Sequence, residues 1–229
     1  MKITRNFAKG KSFLAAFFCI IGFLLAPPNS FSQNIPDVNF ANAIRSACPT
    51  CIDASDNLLP PAANLTSLNV TNKNISDITG IEGFPSLILL DCSRNQIQTL
   101  PTLPDKLFAF YCQGNLLTSL PNLPTNLNRL VCDSNKLIAL PVLPNSLKEL
   151  HCKSNLLTIL PNLNLLAILF CDNNQLTTLP MLPNSLLILS CSNNQLATLP
   201  FLSNNLYKLY CSNNQLTSLP DLPSGMYNG

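Results

Sequence analysis

The chain has 229 residues, 13 of them basic and 11 acidic, for a formal net charge of +2; 47% of it is hydrophobic and only 10% is charged. Low charge with abundant leucine suits a protein that buries much of its side-chain surface in repeats. No basic surface stands out, which excludes nucleic acid as an expected partner.

Residues 1–32 read as a secretory signal peptide. Lys2, Arg5, Lys9 and Lys11 form a basic start, Phe13 to Ala26 is uncharged, and Ser30-Phe31-Ser32 offers small residues for cleavage near Ser32. The apolar run is too short for a membrane span, and an uncleaved anchor is the lesser alternative. Cleavage removes four basic residues and no acidic ones, leaving nine against eleven and a net charge of −2. The product is expected to be secreted or held at the cell surface, with no membrane span after cleavage.

Residues 33–64 form a lead-in without the later repeat. Pro36-Asp37 followed by Val38, Phe40, Ala41, Ala43 and Ile44 predicts a short amphipathic helix ending near Ala47. Such a helix can cover the apolar end of a repeat stack. Cys48-Pro49-Thr50-Cys51 is a C-x-x-C. Zinc would need further ligands, and the one histidine, His151, is far away. A redox pair would open a helix instead of following one. The expectation is a structural disulfide between Cys48 and Cys51 that ties down the cap. Asp53-x-Ser55-x-Asn57 echoes a calcium loop but lacks its glycine and closing glutamate. No metal or other cofactor is expected.

Residues 65–86 form a 22-residue unit on Leu65, Leu68, Val70, Ile75, Ile78, Ile81 and Phe84, with Lys73 in place of a later asparagine. Residues 87–225 then hold seven units of the phrase L-x-x-L-x-C-x-x-N-x-L-x-x-L-P-x-L-P. Their cysteines, Cys92, Cys112, Cys132, Cys152, Cys171, Cys191 and Cys211, are 20, 20, 20, 19, 20 and 20 residues apart. A period this short means stacked coils instead of one closed core. Alternation within L-x-C predicts short strands side by side in a parallel sheet, about 4.8 Å apart. Pro121, Pro141, Pro161, Pro180, Pro200 and Pro220 predict an extended, polyproline-like convex side.

Two ladders run through the units. Asn95, Asn115, Asn135, Asn155, Asn174, Asn194 and Asn214 are expected to point inward and satisfy backbone groups where the chain leaves each strand. The cysteines are expected as buried free thiols. Neighbours lie within the Cα window of a disulfide, but parallel side chains and an odd count make bridging the lesser reading. A metal held along the row is disfavoured, because ligands on one face do not surround an ion.

This phrase resembles leucine-rich repeats. Its 20-residue L-P-x-L-P form is similar to the short type of bacterial secreted effectors. The unit around Ile75-Ser76-Asp77-Ile78 resembles the longer form of bacterial surface adhesion proteins. Ile35-Pro36-Asp37-Val38-Asn39-Phe40 looks like the start of secreted bacterial leucine-rich repeat proteins with cysteine at the third strand position. The resemblance covers about Ile35 to Leu222 and implies a solenoid that binds protein. Effector relatives often carry a ubiquitin-ligase domain and surface relatives an anchoring domain; residues 1–229 are not expected to hold either. Residues 226–229, Met226-Tyr227-Asn228-Gly229, look like the start of a truncated repeat, so a longer natural chain or an open final coil is expected.

The varying positions of each strand point to the concave face as the site. Tyr111, Arg129, Glu149, His151, Lys153, Phe170 and Tyr210 gather there; exposed aromatics beside charges suit a protein or peptide ligand. A carbohydrate-binding or adhesive surface-layer role, with sugars stacked on the aromatics, is the alternative, as is a spacer within a longer anchored protein. One histidine and scattered acids supply no nucleophile with a base and no paired carboxylates in a pocket, so no enzymatic activity is expected.

Overall fold

The computed structural model describes residues 33–225. The expected signal segment and the expected truncated repeat at 226–229 lie outside them. A single helix, α1 (Val38–Ala47), opens the described chain. Eight three-residue strands follow: β1 (Ser67–Asn69), β2 (Leu89–Asp91), β3 (Ala109–Tyr111), β4 (Arg129–Val131), β5 (Glu149–His151), β6 (Ile168–Phe170), β7 (Ile188–Ser190) and β8 (Lys208–Tyr210). They pair in sequence order as one parallel sheet. The register never slips, so Ala109, Arg129, Glu149, Ile168, Ile188 and Lys208 form one row and Tyr111, Val131, His151, Phe170, Ser190 and Tyr210 another.

α1 exists because Asp37 caps it and because one of its faces is apolar. The Asp37 Oδ1 accepts from the Asn39 and Phe40 N–H groups, both at 2.9 Å. Its Oδ2 accepts from the Ser76 N–H and hydroxyl at 2.8 Å and from the Asp77 N–H at 3.1 Å. One carboxylate thus joins the helix to the first coil. Burial would raise the Asp37 carboxyl, but the hydrogen bonds from Phe40, Ser76 and Asp77 together outweigh it and hold it below its usual value. Phe40, Ala41, Ala43 and Ile44 are buried over the end of the stack. Cys48 and Cys51 are joined by a disulfide, with Cα atoms 5.3 Å apart, right after the helix. Gly80, at φ +107°, lets Ile35 lie against the coil; a Cβ there would meet the Ile35 Cδ1 at 2.1 Å.

In the coils of β2 to β8 the middle strand residue and the following cysteine point inward, with Val70 in the cysteine's place in the first coil; Leu130 and Cys132, for example, are fully buried. The other leucines close the core from the remaining sides. No helix forms opposite the sheet in the proline-bearing coils; only the first coil has a short 3-10 turn there, Ile81–Gly83. Where a unit keeps the second proline of the phrase, that residue starts a tight turn, seen in the Leu127 N–H donating to the Pro124 carbonyl at 3.0 Å; Ser203 takes its place in one unit, the Leu206 N–H donating to its carbonyl at 2.9 Å. The 19-residue unit loses one residue in this turn. Asn164 absorbs the loss at φ 46° and donates from Nδ2 to the Leu143 carbonyl at 2.7 Å.

Just past every cysteine the chain turns through a left-handed residue: Arg94, Gly114, Ser134, Ser154, Asn173, Asn193 and Asn213, with φ between 54° and 67°. That turn breaks the strand pairing, and the next residue, the ladder asparagine, replaces what is lost. Asn155 is representative. Its Oδ1 accepts from the Leu137 N–H of the preceding coil at 3.0 Å, and its Nδ2 donates to the carbonyls of Cys132, also in that coil, at 3.1 Å and Cys152 at 3.2 Å. In the first coil the Asn95 Oδ1 serves both Lys73 and Ile75.

The thiols of Cys92, Cys112, Cys132, Cys152, Cys171 and Cys191 are free and buried, and Cys211 is free and half-buried. Burial, with neighbouring thiols and carboxylates adding to it, pushes the inner four well above their usual range. For Cys191 the thiol rises to about 12. No helix among the described residues is long and apolar enough to cross a membrane.

Two outcomes follow. Asn155→Ala leaves the Leu137 N–H unpaired and takes one of two amide donors from each of the Cys132 and Cys152 carbonyls, which keep only Asn135 and Asn174; it lowers stability by about 1–3 kcal/mol, read from the urea midpoint, and an unchanged midpoint contradicts this role. The buried thiols stabilise fully below their ordinary value of 9.0, and that contribution is lost as pH rises through their folded values. In reducing buffer the urea midpoint therefore falls above about pH 9, each thiol contributing up to about 1.4 kcal/mol per pH unit. Cys132→Ala/Cys152→Ala flattens that fall, whereas a midpoint indifferent to alkali means the thiols are not buried as free groups.

Candidate binding site on the sheet

The open face of the sheet carries three rows of side chains: the two outer residues of each strand and the residue after each cysteine. Not all of them reach solvent as the sequence suggests. Ala109, Val131 and Ser190 are buried, because larger side chains on adjacent strands, about 4.8 Å away, close over them. Ser93, Asp172 and Ser192, after the cysteines, are buried too, and the side chains that touch one another form a belt across β3 to β6.

The belt is built pairwise across coils. The Arg129 guanidinium lies 5.5 Å from the centre of the Tyr111 ring, and its Nη2 is 3.0 Å from the Glu149 Oε1. The same oxygen is 2.7 Å from the His151 Nε2. The other ring nitrogen, Nδ1, is 4.0 Å from the Asp133 Oδ2. The imidazole also meets the Phe170 ring edge-on, with centroids 4.6 Å apart. Lys153 Nζ sits 4.3 Å from the centre of that Phe170 ring and 3.2 Å from the Asp172 Oδ2. Tyr111, Arg129, Glu149, His151, Lys153 and Phe170 therefore form one connected surface. Tyr210 does not join it: on β8 it is half exposed and separated from Phe170 by the buried Ser190.

Two residues that the sequence reading passed over hold the belt in place. Asp133 and Asp172 occupy the position after Cys132 and Cys171, and each accepts from the N–H of the matching residue one coil on. The distances are 2.6 Å from Lys153 and 3.0 Å from Ser192. Asp172 also accepts from the Ser190 hydroxyl. Burial raises the Asp133 carboxyl despite the Lys153 N–H and the charges of His151 and Lys153. The sequence does carry a signal, since acids stand at that position one coil before a residue with a free N–H. The i to i+20 reach becomes visible only once the coils stack.

Three buried side-chain atoms among the described residues lack a hydrogen-bond partner, and all belong to this face: Gln113 Oε1, Arg129 Nε and Asp172 Oδ2. The Asp172 oxygen is compensated by the Lys153 charge, although the contact is poorly aligned as a hydrogen bond. The asparagine ladder takes no part in the face, because its amides are spent on backbone. No group of three or more His, Cys, Asp or Glu among the described residues is arranged to hold a metal ion.

No family model matches the chain. A stretch of 72 residues is 40% identical to Internalin J of Listeria monocytogenes, which is 31% of this chain and 8% of that protein. The functional domain of InlJ from Listeria monocytogenes, which includes a cysteine ladder, superposes with a TM-score of 0.71 at 32% identity, over 83% of this chain and 46% of that one. YopM from Yersinia enterocolitica gives a TM-score of 0.70 at 37% identity, over 73% of this chain and 37% of that one. The chain thus spans less than half the length of each of these relatives. With parallel strands in sequence order, inward leucines and ladders of cysteine and asparagine, it is a leucine-rich repeat solenoid, similar over its repeats to these bacterial proteins.

Proposed function

We propose that this solenoid is an exported, non-catalytic scaffold that binds a protein or peptide partner across the open sheet face. The observation that carries this reading is the belt from Tyr111 to Phe170. Aromatic rings, two cations and a histidine are locked there by neighbours on adjacent coils. Side chains held this way lose little freedom on binding, and aromatic and arginine anchors dominate protein interfaces. Scaffold positions repeat from unit to unit while the face positions do not, as a surface shaped for one ligand requires.

The same geometry argues against catalysis. Cys152 follows His151 in sequence but points to the opposite side of the sheet, fully buried, with its thiol pushed far up. The His151 ring nitrogens face carboxylates and no hydroxyl or thiol nucleophile. Export through a signal in residues 1–32, to the medium or the cell surface, belongs to this proposal.

Tyr111→Ala/Phe170→Ala should weaken any captured protein partner by about 2–4 kcal/mol, or roughly 30-fold to 1,000-fold in Kd. Phe201→Ser, an exposed position outside the sheet, should leave binding intact. Surface plasmon resonance on the two variants decides the matter; equal affinity of the double variant and the parent places the site elsewhere.

A further inference from the structure

By sequence, the open face is slightly acidic. Its rows contain Asp91, Asp133, Glu149 and Asp172 against Arg129, Lys153 and Lys208. The structure sets the belt cations outermost at the surface a ligand would meet. Every one of these carboxylates is already engaged. Asp91 accepts from the Ser93 N–H at 3.0 Å and from its hydroxyl at 2.6 Å. Asp133 holds the Lys153 N–H, Glu149 holds both Arg129 and His151, and Asp172 holds Ser190, Ser192 and Lys153.

The three belt carboxylates also lie deeper than the cations. Side-chain exposure is 10% for Asp172, 21% for Glu149 and 24% for Asp133, against 37% for Lys153 and 41% for Arg129. Neither cation is used up. A guanidinium has five N–H donors and an ammonium three, and each cation makes one ion pair. Both rest on an aromatic ring, Arg129 on Tyr111 and Lys153 on Phe170, so their positions are set before a ligand arrives. The two cation–ring pairs flank His151 on either side. Cations with N–H donors to spare stand above carboxylates already engaged by protein groups.

We infer that the partner segment is acidic: an extended peptide whose carboxylates seat on Arg129 and Lys153 while its apolar stems lie against Tyr111 and Phe170. The inference rests on the open face being the binding site and adds the chemistry of what binds there. The overall acidic charge of the exported chain does not oppose it. Fields from distant surface charges are screened within about 8 Å at physiological salt, whereas the two cations act at contact.

The test uses the purified protein and short synthetic peptides grouped by net charge, from acidic to basic, with affinities read by fluorescence anisotropy. Acidic peptides should bind at least about tenfold tighter than basic ones, and the preference should shrink as salt rises from about 0.05 to about 0.5 M. Arg129→Gln/Lys153→Gln should lose about tenfold on the acidic set, and Arg129→Lys should retain most of the binding. The charge preference and salt response of the parent need no variant, so a misfolded variant leaves the test intact. A preference for basic peptides, or indifference to charge and salt, overturns the inference while leaving the face as the site. Binding of an acidic polysaccharide such as polygalacturonate with no peptide bound overturns the peptide assignment. No binding of any peptide set, with Tyr111→Ala/Phe170→Ala also indistinguishable from the parent on a captured protein, overturns the binding-face reading itself.

Discussion

Each coil leaves its strand through a left-handed residue, and at that point backbone groups that paired along the sheet are stranded in the interior. The ladder asparagine meets that demand, because its amide offers an acceptor and two donors on one short side chain. One end binds the Leu N–H of the coil before, and the other holds cysteine carbonyls of two coils at once. A buried amide or carbonyl without a partner is too unfavourable to tolerate repeatedly in a marginally stable protein. The stack, its pitch and its straight register all depend on this one residue recurring at the repeat period.

The rest of the interior follows from the space left over. An inward position beside a neighbour about 4.8 Å away, in a row whose side chains are parallel, suits a small apolar group, and cysteine fills it without bridging. Prolines keep the far side extended, so the coil stays narrow and its core is leucine facing leucine. Such a stack needs its first coil covered, and α1 does so with Phe40 and Ile44, held by a single carboxylate, Asp37, that caps the helix and grips the coil behind it.

A rigid frame lets the varying face be arranged in detail. Because the register never slips, an acid after one cysteine always reaches the N–H of the matching residue one coil on, as Asp133 and Asp172 do. Anchoring the acids low leaves the longer cations on top, resting on rings. The resulting belt carries its cations outermost although its composition is not positive. Burial and depth, not the count of charges, decide how the face looks to a partner.

Much of this was legible in the sequence. The period of the cysteines, the L-x-C alternation and the prolines sufficed for parallel coils without helices opposite the sheet, since each is a local rule repeated until it leaves no other packing. The helix over 38–47 was equally plain from its cap and apolar spacing. Six of the seven face residues expected to act together do meet, because neighbours in register become neighbours in space. Tyr210 does not, since Ser190 lies between it and Phe170, and for Asp133 and Asp172 the sequence shows only where the acids stand, not what they reach. Those depend on distances between coils twenty residues apart and on which side chain lies over which. Sequence determined the repeat and therefore the fold; only stacking decided depth, and with it which charges are spent and which remain free to bind.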